Sequence, residues 1–231
     1  MNLFYKKLFF LVISVCFLNT TYGQNSMPII DQNSNLLNRD LNSFKWINKP
    51  ESFELKEHSL IIEAGENTDF FNNPVSKKIS DNAPFFYTEV SGDFVMKTLI
   101  RPDLSKVWNA CGLMVYIDGL NWIKYEFENS DATGNSIVSV ITKGDSDDAN
   151  GAILHNREYI WLKVVRKGNV YSMHWSTDDV KYKMTRLVSL ESSSTVKVGM
   201  QAQCPADKPK KHEFLYFSLD PISVKDMRVG K

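Results

Sequence analysis

Residues 111–128 run Cys111-Gly112-Leu113-Met114-Val115-Tyr116-Ile117-Asp118-Gly119-Leu120-Asn121-Trp122-Ile123-Lys124-Tyr125-Glu126-Phe127-Glu128. Two apolar or alternating stretches, 111–117 and 122–128, flank the turn-forming pair Asp118-Gly119, the pattern of successive strands. Neighbouring side chains on a strand point to opposite faces. In the second stretch Ile123, Tyr125 and Phe127 therefore share one face, while Trp122, Lys124, Glu126 and Glu128 share the other. The first face belongs to a core. The second sets a large indole in a row of charges, an unusual mix for a strand that merely meets water.

The same reading extends in both directions. Short runs at 59–63, 85–90, 93–100, 136–142, 159–166, 170–176, 181–190, 196–203 and 213–219 are separated by turn formers such as Ser91-Gly92-Asp93 and Lys167-Gly168-Asn169. No long segment has helical periodicity, so nothing supplies the crossovers a parallel sheet needs. The expectation is an all-β, two-sheet antiparallel sandwich.

The amino-terminal end reads differently. Lys6 and Lys7 precede an apolar run of 11 residues, 8–18, broken only by Ser14. A bilayer span needs about 20. The small residues Thr21 and Gly23 then point to a secretory signal peptide over residues 1–23, cleaved before Gln24. Secretion or a periplasmic location follows. Residues 24–43, rich in Asn and Ser, read as a flexible leader to a domain over 44–231. Without Lys6 and Lys7 the chain holds 25 basic and 27 acidic residues, a net charge of −2. That near-neutral balance argues against nucleic acid as a partner. Cys111 and Cys204 remain, either as one disulfide in an oxidising compartment or as two buried small hydrophobes.

Several segments in order carry a resemblance. They are Thr68-Asp69-Phe70-Phe71, Gly92-Asp93-Phe94, Cys111-Gly112-Leu113-Met114-Val115, 122–128, Ser146-Asp147 and Trp161-Leu162-Lys163-Val164. Downstream come Arg186, Val198-Gly199 and Cys204-Pro205. The chain resembles, over about Trp46 to Val229, the concanavalin A-like family of unknown function that includes the regulation-of-enolase protein. The resemblance implies a jelly roll of the lectin and glucanase type with a concave face, where similar proteins hold sugar. It implies a ligand class and no reaction. Glu126 stands where that family usually has Gly, and Phe71 and Asp148 stand where it usually has Trp.

Three functional readings share the charged face. As a glycan binder, the chain would use Trp122 for stacking, with Phe70, Phe71 and Trp108 as further aromatics and Lys124, Glu126 and Glu128 for hydroxyl recognition. Asp69, Asp147 and Arg186 are rim residues implied by the resemblance. As a glycoside hydrolase, it would use Glu126 and Glu128 as its carboxylate pair, which strand geometry sets about 5–7 Å apart and which a retaining mechanism needs at about 5–5.5 Å. As a protein-interaction module, it would cover the same aromatics with another chain. No cofactor is expected, since no Gly-rich phosphate loop occurs. No metal is expected either: the four His have no ligand spacing, and the acidic stretch 144–151 reads as a polar hairpin loop whose calcium pattern fails at Ala149.

Overall fold

Sixteen strands form among the described residues of the computed structural model, which are 27–28, 30–38 and 41–231. The signal peptide expected at 1–23 lies outside the described residues. In chain order the strands begin with β1 (Lys45–Ile47), β2 (Ser52–Leu55), β3 (Leu60–Ala64), β4 (Phe70–Asn72), β5 (Ile79–Asp81) and β6 (Phe85–Ser91). Then come β7 (Phe94–Arg101), β8 (Ala110–Asp118), β9 (Asn121–Ser130), β10 (Gly134–Lys143) and β11 (Asp145–Ile153). The last are β12 (Ile160–Lys167), β13 (Val170–Ser176), β14 (Lys183–Ser189), β15 (Thr195–Gln203) and β16 (Lys210–Asp220).

Seven strands form a first sheet in the order β1-β6-β15-β8-β9-β10-β11, and seven a second in the order β14-β13-β12-β7-β16-β3-β2. Strands β4 and β5 pair only with each other. The fold is the all-β antiparallel sandwich expected. Its core lies between the sheets, where Ile123, Tyr125 and Phe127 of β9 meet Phe94, Met96, Leu162 and Met173. Trp175 joins this core, whereas Trp161 lies on the far side of the second sheet, buried with Leu99, Leu215 and Tyr216.

One expectation needs correction. Stretch 144–151 is no hairpin loop: apart from Gly144 it belongs to β11, an edge strand in register with β10 from Lys143↔Asp145 to Val140↔Asp148. An edge strand satisfies one side of its backbone in the ladder and can leave polar side chains in water, so composition alone misread it. Part of the stretch read as a leader packs onto the domain. Asn35 and Leu37, in and beside two 3-10 turns, are buried. At the bulge of β16, Asn35 Nδ2 donates to Leu215 O (3.3 Å) while Asn35 Oδ1 accepts from Phe217 N (3.1 Å). One amide side chain thus pairs two backbone groups where the ladder is interrupted.

Cys111 and Cys204 are both buried as free thiols, and burial pushes the Cys111 thiol up. Gly112 faces Glu126 across β8 and β9. A Cβ at Gly112 would lie 2.1 Å from Tyr125 O and 2.6 Å from Glu126 Cα, so only glycine allows the two strands this approach.

Candidate functional site

Strand registers define the outer face of the first sheet. Glu128 lies beside Ala110 and, one strand further, Gln203; Glu126 lies beside Gly112 and Gln201; Lys124 lies beside Val140 and then Asp148. The charged row of the sequence is therefore real, but half the face is roofed. Phe70 and Ala83, from the hairpin and its flank, pack on Phe85, Tyr87, Met114, Trp122, Val138 and Val140. Asn72 holds the hairpin down. Its Nδ2 donates to Gly119 O (3.1 Å) and Gly144 O (2.8 Å), and its backbone N donates to Ser146 Oγ (2.9 Å).

Beside this roof lies a groove of about 450 Å3 lined by Asp69, Phe71, Lys124, Glu128, Asp148, Trp108 and Gln203, among others. Lys124 organises its floor. Its Nζ donates to Gln203 Oε1 (2.6 Å) and Asp69 Oδ1 (3.1 Å), and lies 3.2 Å from Glu126 Oε1 as an ion pair. Burial opposes its charge, but Asp69, Glu126 and Glu128 together outweigh that and keep the ammonium protonated.

Both glutamates move the other way. Burial raises the Glu126 carboxyl to about 7 against the pull of Lys124. Burial, then the neighbouring Glu126, lifts Glu128 well above the usual carboxylate range. Apart from the Lys124 ammonium and the Glu128 carboxyl, no polar group reaches the Glu126 oxygens, and Gln201 Oε1 beside them is buried without a donor. At the groove's edge, Asp148 keeps its side chain open to solvent, yet the protein around it is enough to raise its carboxyl too.

Trp108 forms one wall. Its φ is +63°, a conformation rarely adopted by a bulky residue. Trp108 N donates to Asn129 O (2.7 Å) and Trp108 O accepts from Gln203 Nε2 (3.0 Å), which hold the backbone there with the residue 40% exposed. Phe71, half-buried on β4, stands in the same groove.

Each residue nominated from sequence now has a place. Asp69, Lys124 and Glu128 line the groove, together with Phe71 and Trp108. Trp122 and Phe70 do not: each is 1% exposed, so neither can stack on a ligand. Glu126 is fully buried beneath the floor, which leaves Glu128 as the groove's only member of the pair. Asp147 points away, because Asp147 pairs with the core-facing Ile141 while Asp148 pairs with Val140. Its Oδ2 accepts from Arg186 Nη2 of the other sheet at 2.5 Å. These two rim residues thus join one another at the sandwich edge, away from the groove.

A family model described as "Protein of unknown function (DUF1349)" matches residues 46–222. The chain belongs to that family. Regulation of enolase protein 1 of Saccharomyces cerevisiae is 28% identical over 183 residues, covering 79% of this DUF1349 chain and 91% of the yeast protein. A crystal structure of a functionally unknown protein from Saccharomyces cerevisiae superposes with TM-score 0.74 at 27% identity, over 80% of this chain and 100% of that one. The fold is also that of the GH43 protein BlXynB from Bacillus licheniformis (TM-score 0.64, 14% identity, 84% of this chain and 40% of that chain). The VIP36 exoplasmic/lumenal domain, solved in a Ca2+/Man3GlcNAc-bound form, shares it at TM-score 0.53 and 7% identity, over 81% and 87% of the two chains.

Sequence reading passed over Asp131, Asp148 and Gln203 as groove residues of this DUF1349 protein. Alternation was the available signal for Asp148, had 145–153 been read as a strand. For Asp131, in the turn after β9, the sequence held no such signal.

Proposed function

We propose that the groove binds a carbohydrate chain. The observation that carries this is an aromatic wall, Trp108, held at positive φ beside a floor of pre-paired polar groups. Backbone strain of this kind persists where surrounding structure enforces it, and it clusters at binding sites. Sugar rings present C–H faces to an indole and hydroxyls to carboxylates and amides, the two surfaces found here. Fold-mates that include GH43 proteins and a Man3GlcNAc-bound domain support the reading. The amino-terminal signal read at residues 1–23 supports action outside the cytoplasm, either secreted or periplasmic.

Hydrolysis by a Glu126/Glu128 pair fits less well, because Glu126 lies below the floor and does not line the groove. Affinity electrophoresis of the full mature chain against plant and microbial polysaccharides tests the binding reading. The companion variant is Trp108→Asn, since Asn tolerates positive φ and removes only the ring. Retardation by a polysaccharide, lost in the variant, is the expected result. No retardation across the panel would overturn carbohydrate binding and move the face to a protein partner.

A further inference from the structure

The groove's charge is unbalanced. Four acidic side chains line it (Asp69, Glu128, Asp131 and Asp148) against two basic ones, Lys78 and Lys124. Lys124 is already committed to Gln203, Asp69 and Glu126, so it has little to offer a ligand. Glu128 is 7% exposed and faces the groove, and no N–H among the described residues hydrogen-bonds to it. Directly below, Gln201 Oε1 is buried without a donor, and the buried Glu126 has only the Lys124 ammonium and the neighbouring Glu128 carboxyl beside it. A buried acceptor short of donors is costly, and Glu128, the member of this cluster that reaches the groove, is where a ligand's charged donor would relieve that cost.

Metal is a poor occupant. The Lys124 ammonium stands among the acids, and no group of three or more His, Cys, Asp or Glu with metal-holding geometry occurs among the described residues. The walls, Phe71 and Trp108, instead suit the apolar face of a ring, and an indole face also attracts a cation.

We propose that the groove recognises a glycan bearing free, protonated amines, a hexosamine chain, with its ammonium groups received by Glu128 and the acidic rim of Asp131 and Asp148, and that it discriminates against uronic-acid chains. This rests on the carbohydrate reading above and adds the charge of the ligand. With the groove empty, burial keeps a proton on the Glu126–Glu128 pair, and an arriving ammonium takes that proton's place.

The experiment is titration calorimetry of the mature chain with fully deacetylated chitohexaose, its N-acetylated counterpart and hexagalacturonate. A pH of about 5.5 keeps most of the sugar amines protonated, since repulsion along the oligomer holds them below the roughly 7.7–8.0 of an isolated α-amino group. The deacetylated oligomer should bind about tenfold more tightly than the acetylated one, the order of one charge-assisted hydrogen bond, and hexagalacturonate should not bind. The Asp131→Asn, Asp148→Asn double variant, both sites being exposed, should lose that preference while keeping its circular dichroism spectrum. Equal or tighter binding of the acetylated or acidic oligomer would overturn the amine assignment and leave carbohydrate binding standing. So would a preference untouched by the double variant. Failure of all three oligomers together with the whole polysaccharide panel would overturn both.

Discussion

Phe70 meets Trp122 edge-on, with ring centroids 6.0 Å apart and ring planes at 66°. The indole most conspicuous in the sequence is thereby the floor under a hairpin, and its contribution is to stability. Trp122→Ala should cost about 3–5 kcal/mol, the range for removing a large buried aromatic. Trp108→Asn should leave the urea midpoint nearly unchanged and weaken glycan retention about tenfold or more. Paired denaturation and affinity gels check both.

Glu126 makes stability depend on pH with a definite sign. Its folded value, about 7, is above its ordinary 4.5, so the native state binds the proton more tightly than the unfolded chain. The contribution of Glu126 therefore falls as pH rises from about 4.5 to about 7 and is flat beyond. The facing groups are Lys124 and Glu128 on the same strand, with Asp69 from the hairpin approach and Gln201 from β15. The difference in melting temperature between Glu126→Gln and the parent should grow across that window. A constant difference would contradict it.

Two buried histidines act in the opposite sense. Burial lowers His174 and His212 from 6.5 to about 4, so both fold as neutral rings. Their contribution is complete above pH 6.5 and is lost as pH falls toward about 4. His212→Asn should flatten that acid limb in melts recorded between those pH values. Asp103, whose backbone N donates to His212 Nδ1 at 3.3 Å, is the charged neighbour that opposes the effect.

Lys124→Met should be among the most damaging single changes on the outer face. It strands Asp69 and Glu126 beside an apolar chain, and breaking a buried ion pair from one side costs about 3–5 kcal/mol. The double variant with Glu126→Gln should recover part of the loss, as read by chemical denaturation.

Gly112→Ala should destabilise by about 1–3 kcal/mol or prevent folding, because the new methyl meets the Tyr125 carbonyl at 2.1 Å. Gly119→Ala is the matched control, its nearest atom being Tyr116 Oη at 3.9 Å. Soluble yield and urea midpoints separate the two.

What the sequence made legible follows from where apolar side chains were needed. All eleven runs read from alternation became strands, since each buries a face between the sheets. The strands it missed are β1, β2, β4, β5 and β11. Four of these are only three or four residues long, and β11 is a polar edge. Alternation also placed Lys124 and Glu128 on the correct face. It could not show that Phe70 folds over Trp122, because a strand pattern carries no information about what a distant hairpin covers. Likewise Asp147 and Arg186 were read from local motif alone, and a shift of one residue sent Asp147 to the opposite side of its strand.

Most of the groove wall comes from connecting segments and the small hairpin: Asn67, Asp69, Phe71, Asn73, Lys78, Ser80, Trp108, Asp131 and Pro205. None of these packs in the cluster between the two large sheets. Recognition and folding are thus written in separate parts of the chain. Asp69 is the exception, since it pairs with the buried Lys124; grafting loops or randomising the other positions can generate new specificities on an unchanged frame, and drift among relatives can do the same at little cost in foldedness.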